Sequence, residues 1–218
     1  MPTPHPEFLG AKGACLASFA AICAVLALLF TSRIAFALPA VGQPAPMFTG
    51  TDSNGRTVSL SDFRGKTVVL EWTNHECPFV GRHYGSGNMQ ALQKQATADG
   101  VVWLSIVSSA PGEQGSVTPA EANALTQSRN AAPTAVILDP SGTIGHAYDA
   151  KTTPHMFVID PDGLLVYMGA IDDQPRNAGA DPGRARNYVR DALAALKAGQ
   201  PVTDAVTQPY GCSVKYKG

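Results

Sequence analysis

The run TVVLEW, residues 67–72, most restricts what this chain can fold into. It is β-branched and apolar without alternation, the pattern of a central strand buried on both faces. GVVWLSIVSS (100–109) is a second buried strand, TAVILD (134–139) a third and MFVID (156–160) a fourth. PDGL is a turn, and LLVYMG (164–169) closes a hairpin on the fourth strand. Between the strands lie helical patterns. One follows Cys77, with Pro78 in its first turn and apolar positions at Val80, Tyr84, Met89 and Leu92. Gly85-Ser86-Gly87 should weaken or kink it, since a glycine costs about 1 kcal/mol against alanine. TPAEANALTQSRN (118–130) is a helix with a threonine cap, and DPGRARNYVRDALAALKAG (181–199) is a long amphipathic helix stopped at Gly199.

Ahead of the first buried strand, residues 38–46 are Pro-rich and extended. MFTGTDSNGRTVSL then holds two short β runs around Ser53-Asn54-Gly55, a hairpin signal because Asn-Gly favours positive φ. SLSDFRGK reads as a polar link with one helical turn begun by Ser61. The order is β-α-β-α-β-(short helix)-β-β-α. It predicts an α/β fold with a mixed, mostly parallel sheet, helices on both faces, an N-terminal hairpin, and a C-terminal helix with a tail over 199–218.

The first 37 residues carry a different signal. Lys12 precedes an apolar run over 14–30 of 17 residues, and Ala35-Phe36-Ala37 is an A-x-A processing site. The run is shorter than the ~20 residues of a spanning helix. Residues 1–37 therefore read as a secretory signal peptide, with periplasmic or secreted localisation and no stable membrane association after cleavage. The rival is an uncleaved anchor, because Arg33 interrupts the apolar stretch. Residues 38–218 remain as one domain. Lys and Arg number 16 against 17 Asp and Glu, and no basic run or aromatic–basic patch suggests nucleic acid. Of four cysteines, Cys15 and Cys23 fall in the leader, which leaves Cys77 and Cys212 as one bridge or two thiols.

The segments VGQPAPMFTGTDSNGRTVSLSDFRGKTVVLEW, ECPFV, TTPHMFVIDPDGLLVYMGAIDD, DALAALKAGQPV and YGCSVKY occur in that order. Together they resemble the redoxin branch of the thioredoxin fold, the alkyl hydroperoxide reductase/thiol-specific antioxidant family, and within it an exported subgroup with this C-terminal extension. The resemblance covers residues 42–218. It implies a thiol oxidoreductase with Cys77 in the active-site loop, and a cis bond at Thr153-Pro154 facing that cysteine. Asn74, His75, Pro78, Thr153 and Pro154 would line the loop and substrate groove.

Cys77 at a helix N-terminus meets unpaired N–H groups and the positive end of the helix dipole, which favour thiolate. Such placement lowers a thiol pKa from about 8.5 into the ~3.5–7.5 range. His75 and His83 flank it as candidate thiolate stabilisers, Glu76 would act in the opposite sense, and His155 follows the implied cis-proline. Two departures matter. Val80 stands where a dithiol thioredoxin has its second cysteine. Leu70 and Asn74 stand where a peroxiredoxin has its Pro and Thr/Ser, with Asn74 still offering an amide. Cys212 is then the candidate resolving thiol, since the twelve steps from Gln200 reach up to about 40 Å, within one chain or across a homodimer. A structural tail thiol is the alternative.

The expected partners are a protein or small-molecule disulfide, or a peroxide, with an external thiol as reductant. No phosphate loop or flavin signature is present, so no cofactor is expected. Two other classes stay open. Cys77, Cys212, His75, His83 and His155 supply ligands suited to Cu(I), as in a thioredoxin-fold copper chaperone, although the C-x₃-C pair of those chaperones is absent and no metal site is predicted. The third class is a non-catalytic binding module on the same fold.

Overall fold

A computed structural model of the chain describes residues 1–3, 38–175 and 184–218. The chain divides into two units, Met1–Ala37 and Leu38–Gly218, and every helix and strand among the described residues belongs to the second. The leader expected over 1–37, from residue 4 onward, lies outside the described residues, as does the 181–183 start of the last expected helix. No described helix is long and apolar enough to cross a membrane.

The entry hairpin forms as its turn signal dictates. β1 (Thr49–Asp52) pairs antiparallel with β2 (Thr57–Ser59), and Gly55 turns at φ 78°. The Asp52 carboxylate closes the turn by accepting the N–H groups of Asn54 (2.9 Å) and Arg56 (2.8 Å). A single 3₁₀ turn, Leu60–Phe63, follows. Its cap is Ser59 and not Ser61, because Asp62 reaches back to the Ser59 N–H at 2.9 Å.

β3 (Val68–Trp72) leads into α1 (Pro78–Gly85) and α2 (Asn88–Ala98). The expected kink is a full break: Gly87 adopts φ 78° and caps the second helix. β4 (Val102–Val107), α3 (Pro119–Ser128), β5 (Ala135–Leu138) and the short α4 (Thr143–Ala147) complete the first half. Thr118 caps α3 in a capping box with Glu121. β6 (Thr152–Thr153), β7 (His155–Ile159), β8 (Leu165–Gly169), α5 (Tyr188–Lys197) and β9 (Cys212–Ser213) follow. α5 starts later than expected. The Asn187 side chain caps it on the Arg190 N–H (2.8 Å), while the Asn187 backbone bridges to Asp172.

Seven strands form one sheet in the order β2-β1-β5-β4-β3-β7-β8. It is mixed, as expected, but not mostly parallel. Parallel pairing is confined to β3–β4 and β4–β5, and the other four pairings are antiparallel. The physical reason is crossover length. α1–α2 and α3 are long enough to carry the chain back to the end it left. Between β5 and β7 the only helix, α4, has five residues, about 7.5 Å; most of that connection is loop and β6, no long helix returns the chain along the sheet, and β7 enters running the other way.

Both faces of β3 are buried, with period two. Val68, Leu70 and Trp72 enter one core with Tyr148 and Phe157, and Val69 enters the other beneath α2 and α5. Trp72, Tyr148 and Phe157 pack at centroid separations of 5.2–5.3 Å. Glu71, fully buried, is tolerated because its carboxylate accepts from Tyr84, Gln93, Trp103 and Ser105.

His155 opens β7, with its ring 4.4 Å from that of Phe157 and its Nδ1 accepting the Lys151 N–H (3.3 Å). Burial lowers its pKa to about 4, against a partial rise from Asp149. A lowered folded pKa contributes stability above the unfolded value of about 6.5, and that contribution is lost as pH falls through the folded value. Thermal unfolding should therefore show stability declining from pH 7 to 4. His155→Asn, which keeps an acceptor for Lys151, should flatten that decline by up to about 3 kcal/mol. An unchanged slope would mean that this imidazole is not buried neutral.

Candidate functional site

The site lies where β3 ends. Asn74 shapes the loop that follows. Its Oδ1 accepts the Glu76 N–H (2.9 Å), its carbonyl accepts the Cys77 N–H (3.1 Å) and its Nδ2 donates to the Gln114 carbonyl (3.2 Å). Gly115, at φ 83°, packs against the Asn74 side chain, where a Cβ would clash. Its N–H holds the Glu76 carboxylate at 2.6 Å. The loop is thereby tied to residues 114–115 and delivers Cys77 as the N-cap of α1, with Pro78 the first helical residue. Proline fits there because that position needs no N–H donor.

Cys77 is buried, 1% exposed, although it caps a surface helix. Its thiol donates to the Thr153 carbonyl at 3.0 Å, and the Thr153–Pro154 bond beside it is cis. On its far side Thr153 pairs with Cys212, and Thr152 with Ser213, as β6 and β9 form a two-stranded antiparallel ladder. The Thr153 hydroxyl donates to the Cys212 carbonyl at 3.5 Å. Gly211 makes the approach possible: at φ 132°, any Cβ there would strike the Thr153 carbonyl oxygen. The tail that carries Cys212 is thus held as a strand, and that strand places Cys212 opposite Thr153, the residue whose carbonyl the Cys77 thiol meets. Both cysteines are free.

The two thiols differ in acidity. Burial pushes Cys77 upward, but hydrogen bonding from the Cys212 thiol, the Val80 N–H, the Thr153 side chain and the Cys212 N–H outweighs it and lowers its pKa. Burial raises Cys212, and the hydrogen bond and charge of Cys77 raise it further, to about 11. Of the two thiols, Cys77 is therefore the more acidic and the first to lose its proton.

His75 lines a cavity of about 50 Å³ with Thr73, Tyr84 and Arg129, and its carbonyl accepts from Arg129 (3.1 Å). His83 is fully buried, 3.0 Å from Asn88 and 3.3 Å from the Tyr210 hydroxyl. Burial holds its pKa at about 4, with Asp172 opposing and Arg82 adding to the shift. Among the described residues, no group of three or more His, Cys, Asp or Glu side chains is arranged to hold a metal ion. The Asn74 amide, which the sequence left free for a peroxide, is committed to the loop.

Sequence reasoning missed the socket beside this pair. Arg82 and Asp172 sit 3.4 Å apart with nearly buried side chains, and Tyr210 bonds both, donating to Asp172 and accepting from Arg82 (2.7 Å). No local pattern announces three residues so distant in sequence. The Glu71 cluster did leave a sign, a lone carboxylate inside an apolar run.

A buried cysteine capping a helix, opposite a cis-proline loop in a mixed sheet flanked by helices, defines a thioredoxin-like redox protein. The chain belongs to the AhpC/TSA family, which matches residues 41–168. It is 26% identical over 132 residues to the thiol-disulfide oxidoreductase ResA of Bacillus subtilis (strain 168), covering 57% of this chain and 64% of that protein. The chain thus spans less than two thirds of the length of this curated relative. An uncharacterized conserved protein from Geobacillus kaustophilus is 28% identical with a TM-score of 0.71, over 82% of this chain and 93% of that one. A hypothetical protein from Sinorhizobium meliloti 1021 shares the fold at 23% identity with a TM-score of 0.72, over 82% and 96%.

The acidity of Cys77 should depend on Cys212. In wild type the pH profile of Cys77 alkylation should turn over below the ordinary thiol value of about 8.5. In Cys212→Ala, which removes a hydrogen-bond donor to the sulfur, it should move to higher pH. An unmoved profile would show that α1 alone sets the acidity.

Proposed function

We propose that the protein is an exported thiol–disulfide oxidoreductase in which Cys77 is the nucleophile and Cys212 the resolving thiol. The observation that carries this reading is Thr153, whose carbonyl meets the Cys77 sulfur at 3.0 Å while its backbone pairs with Cys212 across the β6–β9 ladder. The Cys77 thiolate attacks one sulfur of a partner disulfide; a Cys77–partner bond forms, the partner's S–S bond breaks, and its second sulfur leaves as thiolate. Cys212 loses its proton to solvent or to that leaving thiolate and attacks the Cys77 sulfur. The Cys77–Cys212 bond forms and the first partner sulfur leaves. The partner gains two electrons and the protein loses them. An external thiol reverses the change.

The coupling supplies the timing. While Cys77 is a thiolate, its charge and hydrogen bond help to keep Cys212 protonated. Once Cys77 is in a mixed disulfide, that charge is gone, and Cys212 becomes easier to ionise when it is needed. The Thr153 edge and the Pro154 loop would form the groove for an extended partner. A disulfide is favoured over a peroxide because the Asn74 amide is taken and the Thr/Ser hydroxyl of peroxiredoxins is absent. The pair is complete within one chain, so no homodimer is required.

Reduced protein given one equivalent of a small disulfide should yield a Cys77–Cys212 linked peptide by mass spectrometry, and should react faster with that disulfide than with hydrogen peroxide. Cys212→Ser should stall as the Cys77 mixed disulfide. Cys77 persisting in mixed disulfide in wild type, with Cys212 open to alkylation, would replace this reading with a one-cysteine mechanism.

Export is supported by the apolar run over 14–30 and by Ala35-Phe36-Ala37. N-terminal sequencing of the exported protein should read from Leu38. A full-length chain retained in membranes would mean an anchor.

A further inference from the structure

We propose that Tyr210, seated in a socket of Phe79, Arg82 and Asp172, is the positioning residue that holds Cys212 in register over Cys77. The proposal rests on the two-cysteine reading above and assigns the residue that makes it work.

The socket is built on the helix that carries the nucleophile. Phe79 and Arg82 are three residues apart on α1 and so share one of its faces. Phe79 meets the Tyr210 ring edge-on at 5.8 Å, and the Arg82 guanidinium lies 5.6 Å from its centroid. The hydroxyl donates to Asp172 and accepts from Arg82 at 2.7 Å. The Arg82 and Asp172 side chains are only 6% and 1% exposed, so these hydrogen bonds are shielded from water. Tyr210 is thus tied through α1 to the same rigid element that Cys77 caps.

Two residues of extended chain span about 7 Å, so fixing Tyr210 leaves Cys212 little freedom. Gly211 between them lies flat on the Thr153 carbonyl, where no side chain fits. Beyond Cys212 the tail is held separately. The Val214 N–H donates to the Lys151 carbonyl (3.0 Å), the Ala110 N–H to the Lys215 carbonyl (2.7 Å) and the Tyr216 hydroxyl to the Ala150 carbonyl (2.7 Å). Loss of Tyr210 would therefore release Cys212 on its N-terminal side and leave its hold over Cys77 to the short β6–β9 ladder, without detaching the end of the tail.

Held in register, Cys212 faces Cys77 at an effective concentration well above the millimolar range of a flexible tether. The same docking covers the Cys77 sulfur. Removing the anchor should move two readouts in opposite senses: the intramolecular disulfide should become easier to reduce, and the reduced Cys77 easier to alkylate.

The test equilibrates purified wild type, Tyr210→Phe, Tyr210→Ala and Gly211→Ala in glutathione redox buffers. The Cys77–Cys212 disulfide is quantified by alkylation and mass spectrometry, and the alkylation rate of reduced Cys77 is measured in parallel. Tyr210→Ala should lower the disulfide equilibrium constant about tenfold or more and speed Cys77 alkylation several-fold. Tyr210→Phe, which keeps the ring on Phe79, should recover part of both. Gly211→Ala leaves the socket intact and should reproduce the alanine phenotype, which keeps the idea testable if Tyr210→Ala does not fold. Wild-type values of both quantities in folded Tyr210→Ala would overturn the proposal. A wild type that forms no Cys77–Cys212 disulfide, with alkylation still accelerated in Tyr210→Ala, would keep the anchor and remove the exchange mechanism.

Discussion

The pairing of β3 with β7 is the constraint on which the rest depends. The two strands run antiparallel with Trp72 opposite His155, so the loop leaving β3 and the residues entering β7 meet at one edge. That register puts Cys77 against the Thr153 carbonyl. It survives because β3 is buried on both faces between β4 and β7, where a slip of one residue would exchange its two apolar faces and drive Glu71 out of its four hydrogen bonds.

From that edge the chemistry follows by proximity. A thiol at a helix N-terminus already favours ionisation, but burial opposes it. Here burial is the largest single influence on Cys77, and hydrogen bonds overcome it. The first of these comes from Cys212, so the tail does more than cover the sulfur. It adds to the polar environment that lowers the Cys77 pKa, and it sets a second cysteine on the strand paired with Thr153. The buried charges of Arg82 and Asp172 neutralise one another beneath the tail and give it an attachment point that a purely apolar surface would leave loosely defined.

Much of this was legible in the residues. β-branched runs marked the strands because buried strands need them. Proline after Cys77, and threonine and proline ahead of α3, marked helix starts through backbone donors and fixed φ. The reactive cysteine, the missing partner at Val80 and the glycine beside Cys212 were all visible as local chemistry. The direction of β7 was not, since it turns on how the chain folds between β5 and β7, where only five residues are helical. The start of α5 was misjudged because Asn187, with its backbone bridged to Asp172, caps a helix that the amphipathic pattern extends further back.

The sequence by itself determined the elements, the thioredoxin-like order and the cysteine that caps α1, because each follows from interactions among residues close along the chain. Only the tertiary structure decided that Cys212 pairs with the Thr153 that Cys77 touches, that the Asn74 amide is bound into the loop, and that Tyr210 bridges α1 to the tail. Those facts depend on pairs such as Cys77 with Thr153 and Tyr210 with Arg82, separated by 76 and 128 residues. At such separations no periodicity or spacing carries information. The contacts exist because burying the sheet on both faces leaves the chain one compact route, and that route ends across the active edge.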